Sequence, residues 1–360
     1  MNLQRIIHKL FVSNITSLLA LLMIFFFFFL AIFAYQIMPD DTPLANNIQL
    51  SIAKKPPGFQ AEVLLLKKDT IYNQKSVLEK FFLGQEKIYK EIIIDDYNYE
   101  GDTLYYSLYN FKNLHREKIE LENVFYNHHH QYIITKTYWL GTDRYGRDLL
   151  SRVILGTRVS FSVGFISVFI SLLIGVFLGM VSGYYGGKFD IFISWLINVV
   201  WSIPTLLLVI AISVVLGKGF WQVFVAVGLT MWVEVARVTR GEVLKISQMP
   251  YIESVRSFGV SDFNIMWKHI LPNIINPIII ISAANFATAI LLESGLSFLG
   301  IGVQPPIPSW GMIIRNHYGF IIMDKLYLAL IPGLCIVFLV LSCMFLGNRL
   351  RDLFDEKSKK

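Results

Sequence analysis

The chain has 360 residues, of which 54% are hydrophobic and 16% charged, with a mean hydropathy of +0.54. That balance excludes an ordinary soluble globular protein and places the chain among multi-span membrane proteins. The net charge of +6 comes largely from Lys and Arg beside apolar runs, where they record membrane orientation, so it gives no support to nucleic acid binding.

Residues 1 to 16 carry Arg5, His8 and Lys9, and residues 17 to 37 follow as an apolar run containing Phe25 to Phe29, long enough to span a bilayer. A signal peptide also starts basic, but its apolar core is shorter and ends in a small-residue cleavage site. Here Tyr35, Gln36, Ile37, Met38 and Pro39 follow, so the run is read as a retained first span. Residues 38 to 140 form a long polar excursion, read as a small α+β insertion outside the membrane. Ser76-Val77-Leu78-Glu79 fits a capping box and Gly84 a helix stop. Strand-like runs follow at 91 to 94, 104 to 108 and 132 to 137, with Glu100-Gly101-Asp102 as a hairpin turn. His128, His129 and His130 are sequence neighbours whose side chains diverge, which points to a surface loop rather than a metal site.

Residues 139 to 164 interleave Arg144, Arg147, Arg152 and Arg158 with Asp143 and Asp148, a pattern read as local ion pairs in an amphipathic segment at the membrane interface. A helical membrane core is then expected over 141 to 347, with spans at 159 to 182, 190 to 216, 220 to 236, 274 to 292 and 327 to 347. With the first span this makes six, and a tail at 348 to 360. An even number puts both termini on one side. The short loops concentrate Lys and Arg on that side, including Arg237, Arg240, Lys245, Arg256 and Lys268, which marks it as cytoplasmic. Gly175, Gly179 and Gly183 recur at a spacing of four and permit close helix approach. Asn198, Ser202, Pro204, Asn285 and Thr288 place polar groups or a helix break at membrane depth, where they are candidates for lining a path. Glu234 and Glu293 are read as lying near span ends, with Glu293 a candidate outer gate. Without a carboxylate or Lys at mid-span, self-powered transport lacks its usual ionisable groups.

Cys335 and Cys343 are eight residues apart in one apolar run, about 12 Å along a helix and too far for a disulfide. There is no Walker-type phosphate loop, zinc-protease pair or nucleophile elbow, so no hydrolytic chemistry is expected in this chain. Between two apolar runs, residues 251 to 272 instead read as two short helices at the membrane surface, within a loop spanning 237 to 273. Ile252, Val255 and Phe258 recur at a spacing of three as an apolar knob, and Glu253 and Arg256 add charges. Gly259 ends the first helix, Ser261 caps a second, and Pro272 starts the next span.

Glu253, Gly259 and the sequence Ile270-Leu271-Pro272 resemble the "EAA" signature of ATP-binding-cassette importer permeases. The stretches GTDRYGRDLLSR at 141 to 152, GYYGGKFD at 183 to 190, SIPTLLL at 202 to 208, LLESGLSFLGIGVQPPIPSWG at 291 to 311 and IPGLCI at 331 to 336 look like the C-type subunit of the oligopeptide/dipeptide class. The resemblance covers the first span and 139 to 360, and leaves 45 to 136 unexplained. Ser254 and Val255 stand where the family pattern has two Ala. The resemblance implies an all-α, six-span type I permease in the bacterial inner membrane that pairs as a heterodimer with a second, homologous permease. It implies coupling to two ATPase subunits through Ile252, Glu253, Ser254, Val255, Arg256, Phe258, Gly259, Ile270, Leu271 and Pro272, and cargo delivery by an extracytoplasmic substrate-binding protein. ATP and Mg²⁺ would belong to the partner ATPases, with no cofactor or metal on this chain. Di- or oligopeptides are the expected cargo, with nickel chelates, glutathione or opines as alternatives. A membrane scaffold or sensor is the rival from another class, and a membrane enzyme is weakened by the lack of a paired nucleophile and base.

Overall fold

Apolar stretches of bilayer length become helices because only an internally hydrogen-bonded backbone satisfies its N–H and C=O groups without water. The computed structural model describes residues 15–68, 76–110, 116–126, 132–217 and 219–358; His128 to His130 lie outside them. Five helices are long and apolar enough to cross a membrane: α1 (Ile15–Ile32), α2 (Leu149–Tyr185), α5 (Phe220–Ser247), α7 (Asp262–Leu299) and α9 (Tyr327–Ser358). A sixth crossing is available if α3 (Gly187–Trp201) and α4 (Thr205–Leu216), which meet at 93°, count together. The span expected over 190 to 216 is therefore a sharply broken one, with the break at Pro204. Pro204 has no N–H to continue the ladder and disfavours helical backbone at Ile203, so the chain turns there. Two shorter helices complete this part, α6 (Pro250–Ser257) and α8 (Trp310–His317).

Helices α2 and α5 pack along a glycine seam. A Cβ on Gly175 would sit 2.5 Å from Val235 Cβ, one on Gly179 2.6 Å from the Ala236 carbonyl oxygen, and one on Gly183 2.8 Å from Val243 Cβ. Backbone thus lies against helix at successive turns, the close approach that the four-residue spacing allows. The seam continues into α3, where the Arg240 guanidinium grips the Asp190 carboxylate at 2.5 and 2.7 Å.

The insertion after α1 is a five-stranded antiparallel sheet in the order β4-β3-β2-β1-β5, formed by β1 (Phe59–Lys67), β2 (Tyr89–Glu100), β3 (Thr103–Leu108), β4 (Arg116–Glu120) and β5 (Ile133–Tyr138). The short helix Val77–Leu83 carries the expected reciprocal capping box between Ser76 and Glu79, and Gly101 turns the β2–β3 hairpin. Strands β1 and β4 add to the three runs expected. Interior strand β1 places Val63 and Leu65 in one cluster with Ile52, Ile93 and Tyr138, and Leu64 in another with Ile94, Leu104 and Val124. Burial on both faces explains its unbroken apolar run. Edge strand β4 is almost wholly charged, which discourages pairing with other chains.

Inside this unit the nearly buried Glu91 carboxylate pairs with Lys87 at 2.5 Å and Lys136 at 3.2 Å, and accepts a hydrogen bond from Asn47 Nδ2 at 2.6 Å. Burial by itself raises the Glu91 pKa, but the two lysines outweigh it and hold the carboxyl below its usual range. A depressed carboxyl contributes stability that is full above the unfolded pKa, near 4.3, and is lost as pH falls through the lower folded value. Glu91→Ala leaves both ammonium groups without this partner, and is expected to cost about 3–5 kcal/mol. Thermal unfolding of the detergent-solubilised protein between pH 7 and pH 3 checks this: the variant melts lower at pH 7, and the difference narrows in acid.

The Arg- and Asp-rich segment before α2 makes the expected local ion pairs, but as a buried junction within the protein and not as an exposed amphipathic surface. Asp143 is fully buried; its carboxylate accepts the Tyr145 and Arg147 N–H groups at 2.7 and 3.0 Å and pairs with the Arg147 guanidinium at 2.7 Å. Arg147 reaches Asn46, Arg152 reaches the carbonyls of Leu44 and Ala45, and the Arg144 N–H donates to His317 Nε2 at 3.2 Å. Asp148 caps α2 by accepting the Ser151 N–H at 2.8 Å. The turn comes this close because Gly146 has φ +72° and no side chain; a Cβ there would lie 1.7 Å from the Gln49 carbonyl oxygen. The sheet is thus fastened at the first turn of α2, and α6 lies near its last, about 55 Å away along 37 residues.

Candidate functional site

Helix α5 continues to Ser247, beyond the expected end at 236, because Thr239, Val243 and Ile246 stay buried. The expected 237 to 273 loop therefore contracts to a short segment around α6. Pro250 occupies the first turn of α6, where its missing N–H costs nothing, and Glu253 places negative charge near the helix N-terminus. Ile252 is fully buried with Met180, Val243, Ile265, Ile270 and Ile274, and Val255 packs partly against the same cluster. Phe258 is 87% exposed, and Glu253, Ser254 and Arg256 also face outward. The proposed knob is thus split. At about 100° per residue, positions six apart lie about 120° from each other, so Ile252 anchors the helix while Phe258 points away.

Two contacts fix that orientation. The Tyr184 hydroxyl donates to Asp262 at 2.6 Å, and the Arg256 guanidinium lies 5.2 Å from the Tyr184 ring, so the end of α2 joins α6 to the start of α7. Asn273 Nδ2 donates to the Tyr251 hydroxyl at 3.2 Å. Gly259 then reverses the chain at φ +75°, with open space where a Cβ would stand. Around this end Met249, Tyr251, Phe263 and Trp267 are also exposed.

The second short helix and the helix start at Pro272 are corrected. Helix α7 runs from Asp262 through Ile270, Leu271 and Pro272, and Ser261 sits at its N-cap without a side-chain cap bond. A π-turn over Ile265–Ile270 makes this possible: the Leu271 N–H bonds the Met266 carbonyl five residues back, and the wider turn accommodates a proline in mid-helix. Ile270 is buried, Leu271 half-buried and Pro272 exposed.

The candidate path residues separate into two groups. Asn198, Ser202 and Pro204 are exposed at the α3–α4 break, and exposed Thr288 lines a cleft of about 90 Å³ beside it with Trp201, Thr205, Thr230 and Glu234. Asn285 and Glu293 lie inside the protein. Glu293 accepts the Ser297 hydroxyl at 2.6 Å, and Ser297 in turn accepts the Val303 N–H at 3.1 Å, so the carboxylate fastens the segment after α7. Glu234 stands near the middle of α5, because that helix runs on past 236 to Ser247.

Residues 175–360 match the family model described as "Binding-protein-dependent transport system inner membrane component". The chain is 38% identical over 225 residues to the glutathione transport system permease protein GsiD of Pectobacterium atrosepticum, covering 62% of this chain and 74% of that protein. It is 43% identical over 222 residues to the probable peptide ABC transporter permease protein y4tQ of Sinorhizobium fredii, covering 62% and 76%. Among solved structures, an inward-facing MetNI methionine ABC transporter chain aligns with a TM-score of 0.48 at 21% identity, over 57% of this chain and 97% of that one. The chain therefore belongs to the binding-protein-dependent transport system inner membrane components: it is a multi-pass permease subunit of an ATP-binding-cassette importer, and not itself the ATPase.

Proposed function

We propose that this permease imports di- or oligopeptides as one half of a heterodimeric path, with a second, homologous permease as the other half. Two ATPases, which hold the ATP and Mg²⁺, dock on α6 and its turn. Glu253, Ser254, Arg256, Phe258 and Gly259 form the contacted surface, while Ile252, Val255, Ile270, Leu271 and Pro272 seat it on the spans. The observation that carries this reading is the exposed Phe258 at the end of a helix clamped to α2 and α7. ATP-driven closure of the ATPases pulls on that helix, and the spans alternate between two orientations.

Both termini and α6 lie on the cytoplasmic side, following the Lys and Arg bias. The sheet, held near the opposite end of α2, lies on the outer side, where a substrate-binding protein delivers cargo. Asn198, Ser202, Pro204 and Thr288 belong to the path; Asn285 supports it from within, and Glu293 closes its outer end by holding the segment after α7. Glutathione, itself a tripeptide, is the second cargo reading, supported by the relative that carries its name. The scaffold or sensor alternative falls with family membership.

Affinity purification of the tagged chain in mild detergent tests the assembly. Recovery of an ATPase and a second permease is the expected outcome, and reproducible recovery of the chain alone overturns it. Uptake of labelled peptides and glutathione by cells with and without the gene then decides the cargo.

A further inference from the structure

We infer that Glu234 is a cargo-contacting acidic residue that receives a cationic group, an ammonium above all, as cargo passes the break between α3 and α4. The inference rests on the translocation reading above and adds the chemistry of one position on the path. Glu234 lies near the middle of a membrane-crossing helix, and its side chain is exposed on the isolated chain. An ionised carboxylate facing hydrocarbon is strongly disfavoured, so this face of α5 meets protein or water, not lipid.

The surroundings favour a site over a structural pair. Among the described residues no hydrogen bond or ion pair to Glu234 is present. Arg237, one turn away, lies over the Trp201 ring instead, 3.2 Å from its centroid. The cleft has room for a charged end group and not for a whole peptide, at about 90 Å³. Its polar lining is acceptor-rich: the Thr288 hydroxyl donates to the Ala284 carbonyl at 3.1 Å and the Thr230 hydroxyl to the Val227 carbonyl at 2.8 Å, which leaves their oxygens as acceptors toward the cleft. A carboxylate and two hydroxyl acceptors together suit an ammonium.

Thiol chemistry in the assembled transporter tests the site independently of the cargo. Thr288→Cys, in a chain whose Cys335 and Cys343 are replaced by Ala, is labelled with an ammonium-bearing and with a sulfonate-bearing methanethiosulfonate. The ammonium reagent is expected to react faster, and adding Glu234→Gln is expected to lower the ratio of the two rates about tenfold, since a focused local charge concentrates counter-ions by at least that factor. Thr205→Cys replaces Thr288→Cys if the latter fails to assemble. An unlabelled cysteine at both positions, as when Glu234 pairs with a cation of the second permease, overturns the inference; so does an unchanged ratio. In proteoliposomes, Glu234→Gln is expected to slow uptake of trialanine and not of N-acetyl-trialanine. If the unmutated transporter takes up neither, the peptide reading fails, while the thiol ratio still decides the role of Glu234.

Discussion

Phe258→Asp is expected to cut uptake by the assembled transporter about thirtyfold or more while the chain inserts and melts as before. The side chain is 87% exposed at the end of α6 and belongs to no buried cluster, so its replacement removes nothing from the fold of this chain. A large aromatic held outward on a clamped helix has the character of an interface anchor, and truncation of such anchors costs about 2 kcal/mol or more, a factor of about thirty in affinity. Glu253→Lys combined with Gly259→Pro should act the same way by a different route. Proline cannot adopt φ +75°, so the turn after α6 must rearrange, and the charge on its exposed face is reversed. Transport and ATPase co-purification are measured side by side with membrane insertion. Normal uptake with either variant would remove α6 from the coupling role.

Gly179→Leu is expected to prevent accumulation of folded protein, and Gly179→Ala to destabilise it. Even a methyl group at this position meets the Ala236 carbonyl oxygen at 2.6 Å and Thr239 Cβ at 2.7 Å. Both belong to the body of α5, so relief requires the two helices to separate along the seam that also holds Gly175 and Gly183. Overpacking of a tight core costs about 1–3 kcal/mol for small additions, and a leucine adds several methylene equivalents. Gly241→Ala is the control: it lies in α5, the partner helix of the seam, with open space at its Cβ, and is expected to be neutral or to stabilise by up to about 1 kcal/mol. Fluorescence-detected gel filtration after a temperature ramp separates these outcomes. A Gly179→Leu protein that melts with the parent would show that α2 and α5 are not packed as described.

Local features of the chain were legible where one or two neighbouring residues decide the conformation. The Ser76–Glu79 capping box, the Gly101 hairpin and the positive φ of Gly259 each depend on chemistry within a few residues. The glycine spacing likewise announced a close helix pair, because only the lack of a Cβ allows backbone contact. The sequence around α6 predicts the right helix but the wrong partition of its faces. Ile252 and Phe258 are both apolar, and only the position of α2, α5 and α7 determines which is buried.

Amino-acid pattern alone determined that this is a membrane protein of about six spans with a folded insertion after the first. It also marked a short helix before Gly259, since hydropathy, capping residues and turn glycines act locally. Tertiary structure alone decided the rest. Asp143, Arg147 and Arg152 form a buried junction because chain from the distant 44 to 55 segment folds over them. A π-turn carries α7 through Pro272, and Glu234 comes to the middle of a helix because α5 runs on to Ser247 against α2. In each case the deciding contact joins residues far apart in sequence, and no local periodicity records it.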